Sequence, residues 1–165
     1  MGVVRQVIVK VSDSCNLNCS YCYYYTEAMP SVKSRKKLSL EDVRTLLLNV
    51  VEQCQQFGLN EFSILFHGGE PLLPGIGYYR EVFKLADELI PEWLQIKWAI
   101  TTNGVLLSDE FLDLFQERHV SIGVSLDGPP KSQDRFRIFH SGKGSSDQVY
   151  GTLARVQNRG QGVGI

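Results

Sequence analysis

Short apolar, β-branched runs alternate along the chain with longer stretches whose apolar residues recur at helical spacing. Gln6-Val7-Ile8-Val9-Lys10-Val11 predicts a first strand that ends at a cysteine-rich loop. Leu40, Val43, Leu47, Val50, Val51 and Cys54 form a helix-period stripe, with Ser39 as its N-cap and Gly58 as its terminator. Residues 61–66 predict a second strand running into His67-Gly68-Gly69-Glu70-Pro71. A helix carrying Tyr79, Val82, Phe83, Ala86 and Leu89 follows, and Pro91 closes it. A third strand at 96–101 ends at Thr102-Asn103-Gly104. Ser108 caps the next helix, whose Asp109 and Glu110 suit the positive helix end. A fourth strand at 120–126 runs into Asp127-Gly128-Pro129-Pro130. Val149, Leu153 and Val156 mark a fourth helix ending near Gly160, and Gly162-Val163-Gly164-Ile165 begins a fifth strand.

Strands alternating with helices of this length predict a parallel α/β sheet, because parallel neighbours need a crossover between them. In such sheets the loops at the carboxyl ends of the strands share one rim, where ligands bind. Every polar, Gly-rich or Cys-rich signature in the chain follows directly after a predicted strand. The cysteines, the Gly-Gly-Glu-Pro turn, Thr102-Asn103-Gly104 and the stretch 125–127 are therefore expected to converge.

Composition narrows the class of partner. The 165 residues are 43% hydrophobic and 21% charged, enough apolar content for a substantial core. Seventeen Lys and Arg against eighteen Asp and Glu leave a formal charge of −1, so no nucleic acid and no membrane is expected as a partner. No apolar run approaches the ~18 residues of a spanning helix. Residues 1–11 lack the features of a secretory signal, and Gln6 stands where a myristoylation signal wants Ser or Thr. The expectation is a soluble, cytoplasmic protein.

Three of the four cysteines, Cys15, Cys19 and Cys22, fall within eight residues, while Cys54 lies on the apolar stripe and reads as a core residue. A secreted disulfide scaffold would spread more cysteines more evenly. A structural zinc site would need a fourth ligand. The cluster reads as a three-ligand site with one position open.

Cys15-x3-Cys19-x2-Cys22, with Tyr21 just before the last cysteine, resembles the cluster motif of the radical S-adenosylmethionine (radical SAM) superfamily. Gly68-Gly69-Glu70-Pro71 resembles that superfamily's methionine-amine turn. Thr102-Asn103-Gly104, Ser125-Leu126-Asp127-Gly128-Pro129 and Arg137 extend the likeness, in order, to the SPASM-type branch. That branch includes anaerobic sulfatase-maturating enzymes and ribosomal-peptide maturases. The resemblance implies an incomplete radical SAM partial (β/α)6 barrel of about four βα units. Residues 1–165 would form one truncated core domain, without the carboxyl-terminal barrel units and the SPASM domain. It implies a 4Fe–4S cluster on Cys15, Cys19 and Cys22, with SAM chelated at the fourth iron. Reductive cleavage of SAM would then give a 5′-deoxyadenosyl radical that takes a hydrogen atom from a peptide or protein side chain. The electron would come from a donor such as flavodoxin or ferredoxin.

The same resemblance sets Tyr21 against the adenine and the Gly68-Gly69-Glu70 turn on the methionine amine, and matches Gly69, Ser125 and Arg137 to SAM-contacting sites. Arg137 would pair with the methionine carboxylate, with a solvated loop cation, or Arg135 in the role, as the alternatives. Asn103 is equally a candidate ligand and half of an ordinary Asn-Gly turn. One of Tyr23, Tyr24 and Tyr25 would face substrate and the others pack. Lys33, Arg35, Lys36 and Lys37 read as a solvated loop, and His67 as the partner of a strand-end hydrogen bond. His119 and His140 read as surface residues.

Two departures bear on the activity. His67 stands where sulfatase-maturating members have Gln, which favours a peptide maturase and leaves sulfatase maturation second. The chain stops as the fifth strand begins, so the fourth strand's far edge is expected to be unpaired, the chain alone poorly stable and inactive on its natural substrate, and the catalytic acid or base unassigned. A non-catalytic fragment completed by a partner, and a small zinc protein, are the readings from other classes.

Overall fold

The computed structural model describes residues 2–23, 36–160 and 162–164. Five parallel strands lie in sequence order, β1 (Gln6–Ser12), β2 (Glu61–Gly68), β3 (Gln95–Thr102), β4 (Ser121–Val124) and β5 (Val163–Gly164). Between them run α1 (Leu40–Phe57), α2 (Ile76–Leu89), α3 (Asp109–Glu117), α4 (Pro130–Phe136) and α5 (Ser146–Asn158). The strictly sequential order is that of successive crossovers of one hand, the start of a curling α/β sheet.

Strand alternation sorts the side chains onto two faces. Val9, Val11, Phe62, Ile64, Phe66, Ile100, Ile122 and Val124 are buried against the helices. The opposite face carries Ile8 and Lys10, both exposed, with Leu65, His67, Thr101 and Gly123 part-buried. It is the face on which a curled sheet encloses a ligand. α1 docks through Val43, Leu47, Val50 and Cys54, the last with no exposed surface, as the stripe predicts. The Ser39 hydroxyl accepts from the Asp42 N–H at 3.0 Å, and Gly58 closes the helix at φ 63°. Ser108 caps α3 in the same way, accepting from the Phe111 N–H.

Three details differ from the sequence reading. β4 is shorter than 120–126, since the chain leaves the sheet after Val124 to build a rim. It holds register there through Ser125, whose N–H donates to the Thr102 carbonyl at 2.9 Å. The stretch after Pro129 forms the seven-residue helix α4, with Pro130 in its first turn, where the missing N–H costs nothing. The far edge of β4 is not bare, because Ile122 and Gly123 pair with Val163 and Gly164. Two residues suffice to satisfy the β4 groups beside them. Among the described residues no helix is long and apolar enough to cross a membrane.

Candidate functional site

The cysteine loop leaves β1 at Ser12 and is clamped from two sides by backbone hydrogen bonds. From the β2 turn, Gly69 N–H donates to the Ser12 carbonyl at 2.9 Å and Glu70 N–H to the Ser14 carbonyl at 2.7 Å. On the other side, Asn18 N–H donates to the Ile138 carbonyl at 2.7 Å and Ser20 N–H to the Phe136 carbonyl at 3.0 Å. Leu17, on the loop, is itself buried and bridges to Phe139. Cys15, Cys19 and Cys22 are free and partly exposed on this loop, whereas Cys54 is free and buried far along α1.

Burial pushes the Cys15 thiol up to about 11 and raises Cys19 as well, against the pull of the Arg137 charge. Without a metal both thiols therefore keep their protons at neutral pH, and ligation must release them. Three soft donors on one clamped loop, with the Leu17 N–H directed at the Cys15 sulfur at 3.4 Å, fit three-thiolate ligation of a 4Fe–4S cluster. Among the described residues no three His, Cys, Asp or Glu side chains are grouped as around a metal ion, so the fit rests on the donor chemistry of the loop.

The turn after β2 forces its own composition. Gly68 sits at φ 136°, and a Cβ there would lie 2.3 Å from the Ser12 carbonyl oxygen. The Glu70 side chain is turned inward, with no exposed surface. One carboxylate oxygen accepts from the Thr102 hydroxyl at 2.7 Å and the Leu72 N–H at 3.0 Å; the other accepts from the Asn103 N–H at 2.9 Å. Burial raises its pKa, and these three donors, which favour the charged form, offset part of that cost. Glu70 thus fastens the β2 turn to the end of β3, and only the backbone of its turn is left to face a ligand.

Beyond the loop, Asp127 gathers two sequence-predicted residues. Its carboxylate accepts from the Tyr21 hydroxyl at 2.7 and 2.5 Å and pairs with Arg137 Nε at 2.9 Å. The Arg137 guanidinium lies 5.5 Å from the centroid of the Tyr21 ring. Tyr21, Asp127, Ser132, Phe136 and Arg137 line an open cleft of about 560 Å3. A second cleft of about 440 Å3, on the open face of the sheet, is lined by Thr101, Gly123, Ser125 and Arg137 among others. Arg137 is common to both.

Residues 9–165 match the Radical SAM superfamily. The chain belongs to that superfamily. It is 29% identical over 160 residues to a cysteine-type anaerobic sulfatase-maturating enzyme of Clostridium novyi, covering 96% of this chain and 41% of that protein. It is 32% identical over 127 residues to a serine-type anaerobic sulfatase-maturating enzyme of Klebsiella aerogenes, covering 77% of this chain and 30% of that protein. The solved structure of native anSMEcpe with bound AdoMet superposes with a TM-score of 0.84 at 24% identity, over 96% of this chain and 42% of that one. This structural likeness speaks for the fold: the sheet described here is the corresponding part of a radical SAM barrel. The chain thus spans about two fifths of that anSMEcpe chain.

Within this radical SAM core the predicted residues fall into two groups. Cys15, Gly68, Gly69, Glu70 and Asn103 meet around the ends of β1, β2 and β3, while Tyr21, Ser125 and Arg137 line the clefts, with Cys19 in electrostatic reach of Arg137 and Asp127. Arg137, rather than Arg135, holds the contact with Asp127; Arg135 is exposed and stacks over Phe136 at 5.1 Å. His67 accepts from the Gly68 N–H through Nδ1 at 2.7 Å, with Lys10 Nζ 3.3 Å away across the β1–β2 register. Burial, then the Lys10 charge, pull its pKa down. Lys10 also donates to the Tyr23 hydroxyl at 3.2 Å, whereas Tyr24, Tyr25, Lys33 and Arg35 lie outside the described residues. Lys37 lies 5.7 Å from the centre of the Tyr78 ring. His140 is exposed, but its Nε2 meets the Cys15 carbonyl at 3.1 Å.

Sequence reasoning missed the hub of the second group. Asp127 stands in the Ser125-Leu126-Asp127-Gly128-Pro129 run, and a carboxylate just past a strand end, ten residues before Arg137, is the signal that marks it. Gln133, with no exposed surface, accepts from the Asp127 N–H at 3.0 Å and donates to the Ser145 hydroxyl at 3.1 Å. Nothing in a polar seven-residue stretch marks that role.

Proposed function

We propose that the chain is the SAM-binding core, one domain over residues 1–165, of a radical SAM maturase that modifies a peptide or protein side chain. The observation that carries this reading is the three-thiol loop clamped beside Arg137 and Asp127 in a member of the superfamily. A 4Fe–4S cluster held by Cys15, Cys19 and Cys22 would supply the electron that breaks the sulfonium bond of SAM and yields a 5′-deoxyadenosyl radical.

The protein's own residues do the rest by position. Cys15, Cys19 and Cys22 give up their protons on ligation. Asp127 occupies Nε of Arg137, which leaves the terminal nitrogens of the guanidinium to meet the methionine carboxylate as a planar fork. The Gly68-Gly69-Glu70 turn presents backbone carbonyls to the methionine amine, and its glycines let the chain come close. Tyr21, with half its surface exposed, offers a ring face to the adenine, and Ser125 lies at the mouth of the open-face cleft. The substrate peptide enters from the open face, past Lys10 and His67. A small flavodoxin or ferredoxin is the proposed electron donor.

The runner-up is sulfatase maturation, favoured by the relatives' names; His67 in place of Gln favours another peptide substrate. Offering the reconstituted protein a sulfatase-derived peptide and a short precursor peptide in parallel separates the two.

SAM binding is tested by titrating SAM into the reduced, reconstituted protein and following the electron paramagnetic resonance of the cluster. The spectrum is expected to change on saturation. Arg137→Lys is expected to weaken the apparent affinity roughly 10- to 100-fold, the worth of about 1.5–3 kcal/mol for a hydrogen bond to a charged group. An unchanged titration in Arg137→Lys would remove Arg137 from the site.

A further inference from the structure

We propose that Asn103 donates a hydrogen bond to the Cys15 thiolate when the loop carries its cluster, and that this bond, braced by Asn16, raises the cluster's reduction potential. The inference rests on the functional reading above and concerns a residue whose part the motif alone leaves open between ligand and turn.

Asn103 is 93% buried and fixed at both ends. Its backbone N–H is held by Glu70, and its side-chain oxygen accepts from the Val105 N–H at 3.0 Å. That second bond decides the orientation of the amide, because a flipped amide would set two N–H groups against each other. The NH2 group is thereby directed at the cysteine loop. It donates to the Asn16 side-chain oxygen at 2.7 Å and lies 3.7 Å from Cys15 Sγ, a hydrogen-bond distance for the larger sulfur atom.

The contact changes character on ligation. As a thiol, Cys15 donates its own proton to the Asn16 oxygen at 3.8 Å. A ligating thiolate has no proton to give and becomes an acceptor only. The Asn16 oxygen is then left to Asn103, and the sulfur receives two donors, Leu17 N–H and Asn103 Nδ2. The Asn16 Nδ2 is itself buried with no partner among the described residues, a donor kept dry on the loop. A buried donor of that kind is what remains where an acceptor arrives with a ligand.

The sign follows from charge. Reduction adds one electron, taken from an external titrant such as dithionite, and no bond is made or broken. N–H dipoles aimed at sulfur stabilise the more negative state, so removing one lowers the potential.

The test is a potentiometric titration of the anaerobically reconstituted protein, read by electron paramagnetic resonance. Asn103→Leu removes the donor. Asn103→Asp keeps the acceptor for Val105 and sets a carboxylate near the sulfur. At a fixed potential the reduced-to-oxidised ratio is expected to fall about tenfold in Asn103→Leu, equivalent to about 59 mV for one electron, and further in Asn103→Asp. A second measurement needs no variant: the Fe–Sγ stretching bands of the native protein are expected to shift between H2O and D2O. Wild-type potentials in both variants at full cluster content would overturn the proposal. So would bands unmoved by deuterium, which decides the matter if the variants fail to assemble. Failure of the native protein to take up any cluster would instead refute the functional reading, and this inference with it.

Discussion

Cys19→Ala is expected to abolish cluster assembly, while Cys54→Ala leaves it intact. Cys19 is the central thiol of the loop, in electrostatic reach of both Cys15 and Cys22, and burial holds its proton until a metal displaces it. Removing it leaves two ligands where three irons need one each. Anaerobic reconstitution followed by iron and sulfide analysis reads the outcome. The expected result is loss of the charge-transfer absorbance and of bound iron in Cys19→Ala. Cys54, buried on α1 among Val43, Leu47 and Val50, should cost only packing, roughly 1 kcal/mol for a small buried side chain. Equal loss of cluster in the two variants would defeat the ligand assignment.

Gly68→Ala is expected to be the most damaging single-methyl change to the fold. Two costs add there. The φ of 136° is strained for any L side chain, about 1–3 kcal/mol. The new Cβ would also sit 2.3 Å from the Ser12 carbonyl oxygen and 3.1 Å from the Ser12 nitrogen, backbone atoms of the adjoining strand that cannot swing aside. Overpacking of that kind costs about 1–3 kcal/mol more. Gly58→Ala is the control, since its φ of 63° is strained but no atom lies within 4 Å of the added methyl. Thermal unfolding of both should show Gly68→Ala losing roughly twice as much stability as Gly58→Ala. Equal losses would mean that the turn after β2 yields to the methyl.

These two positions also show why different features were legible to different degrees. The strands and the long helices were written in local pattern. The Ser39 and Ser108 caps, the Gly58 stop and the α1 stripe each follow from a few neighbouring residues. So does the three-cysteine spacing. The short helix α4 was not readable, because seven residues with one buried side chain, Gln133, carry no periodic signal. Pairing of β5 with β4 was hidden for a similar reason: two residues of strand are set by their neighbour rather than by propensity.

The site divides along the same line. Cys15, Cys19 and Cys22 could be named because their spacing is local; Gly68 could be named from its Gly-Gly turn, although the Ser12 carbonyl that excludes a Cβ there lies on another strand. Asp127 could not, because its role depends on Tyr21, which is 106 positions away in the chain, and on Arg137. Glu70 was named for its turn, yet its side chain serves Thr102 and Asn103 across two strands. Asn103 is the sharpest case. The Asn-Gly pair reads as a turn, and the turn is there, but the amide reaches Asn16 and the Cys15 sulfur on a loop brought close only by the β1–β2–β3 order.

The most direct single test of the site as a radical SAM centre is chemical. The protein in its natural full length, reconstituted anaerobically and supplied with SAM and dithionite, should form 5′-deoxyadenosine, quantified by liquid chromatography. Formation should require the reductant and disappear in Cys19→Ala. A protein that carries a full cluster and binds SAM, yet yields no 5′-deoxyadenosine with reductant and peptide present, would contradict the assignment.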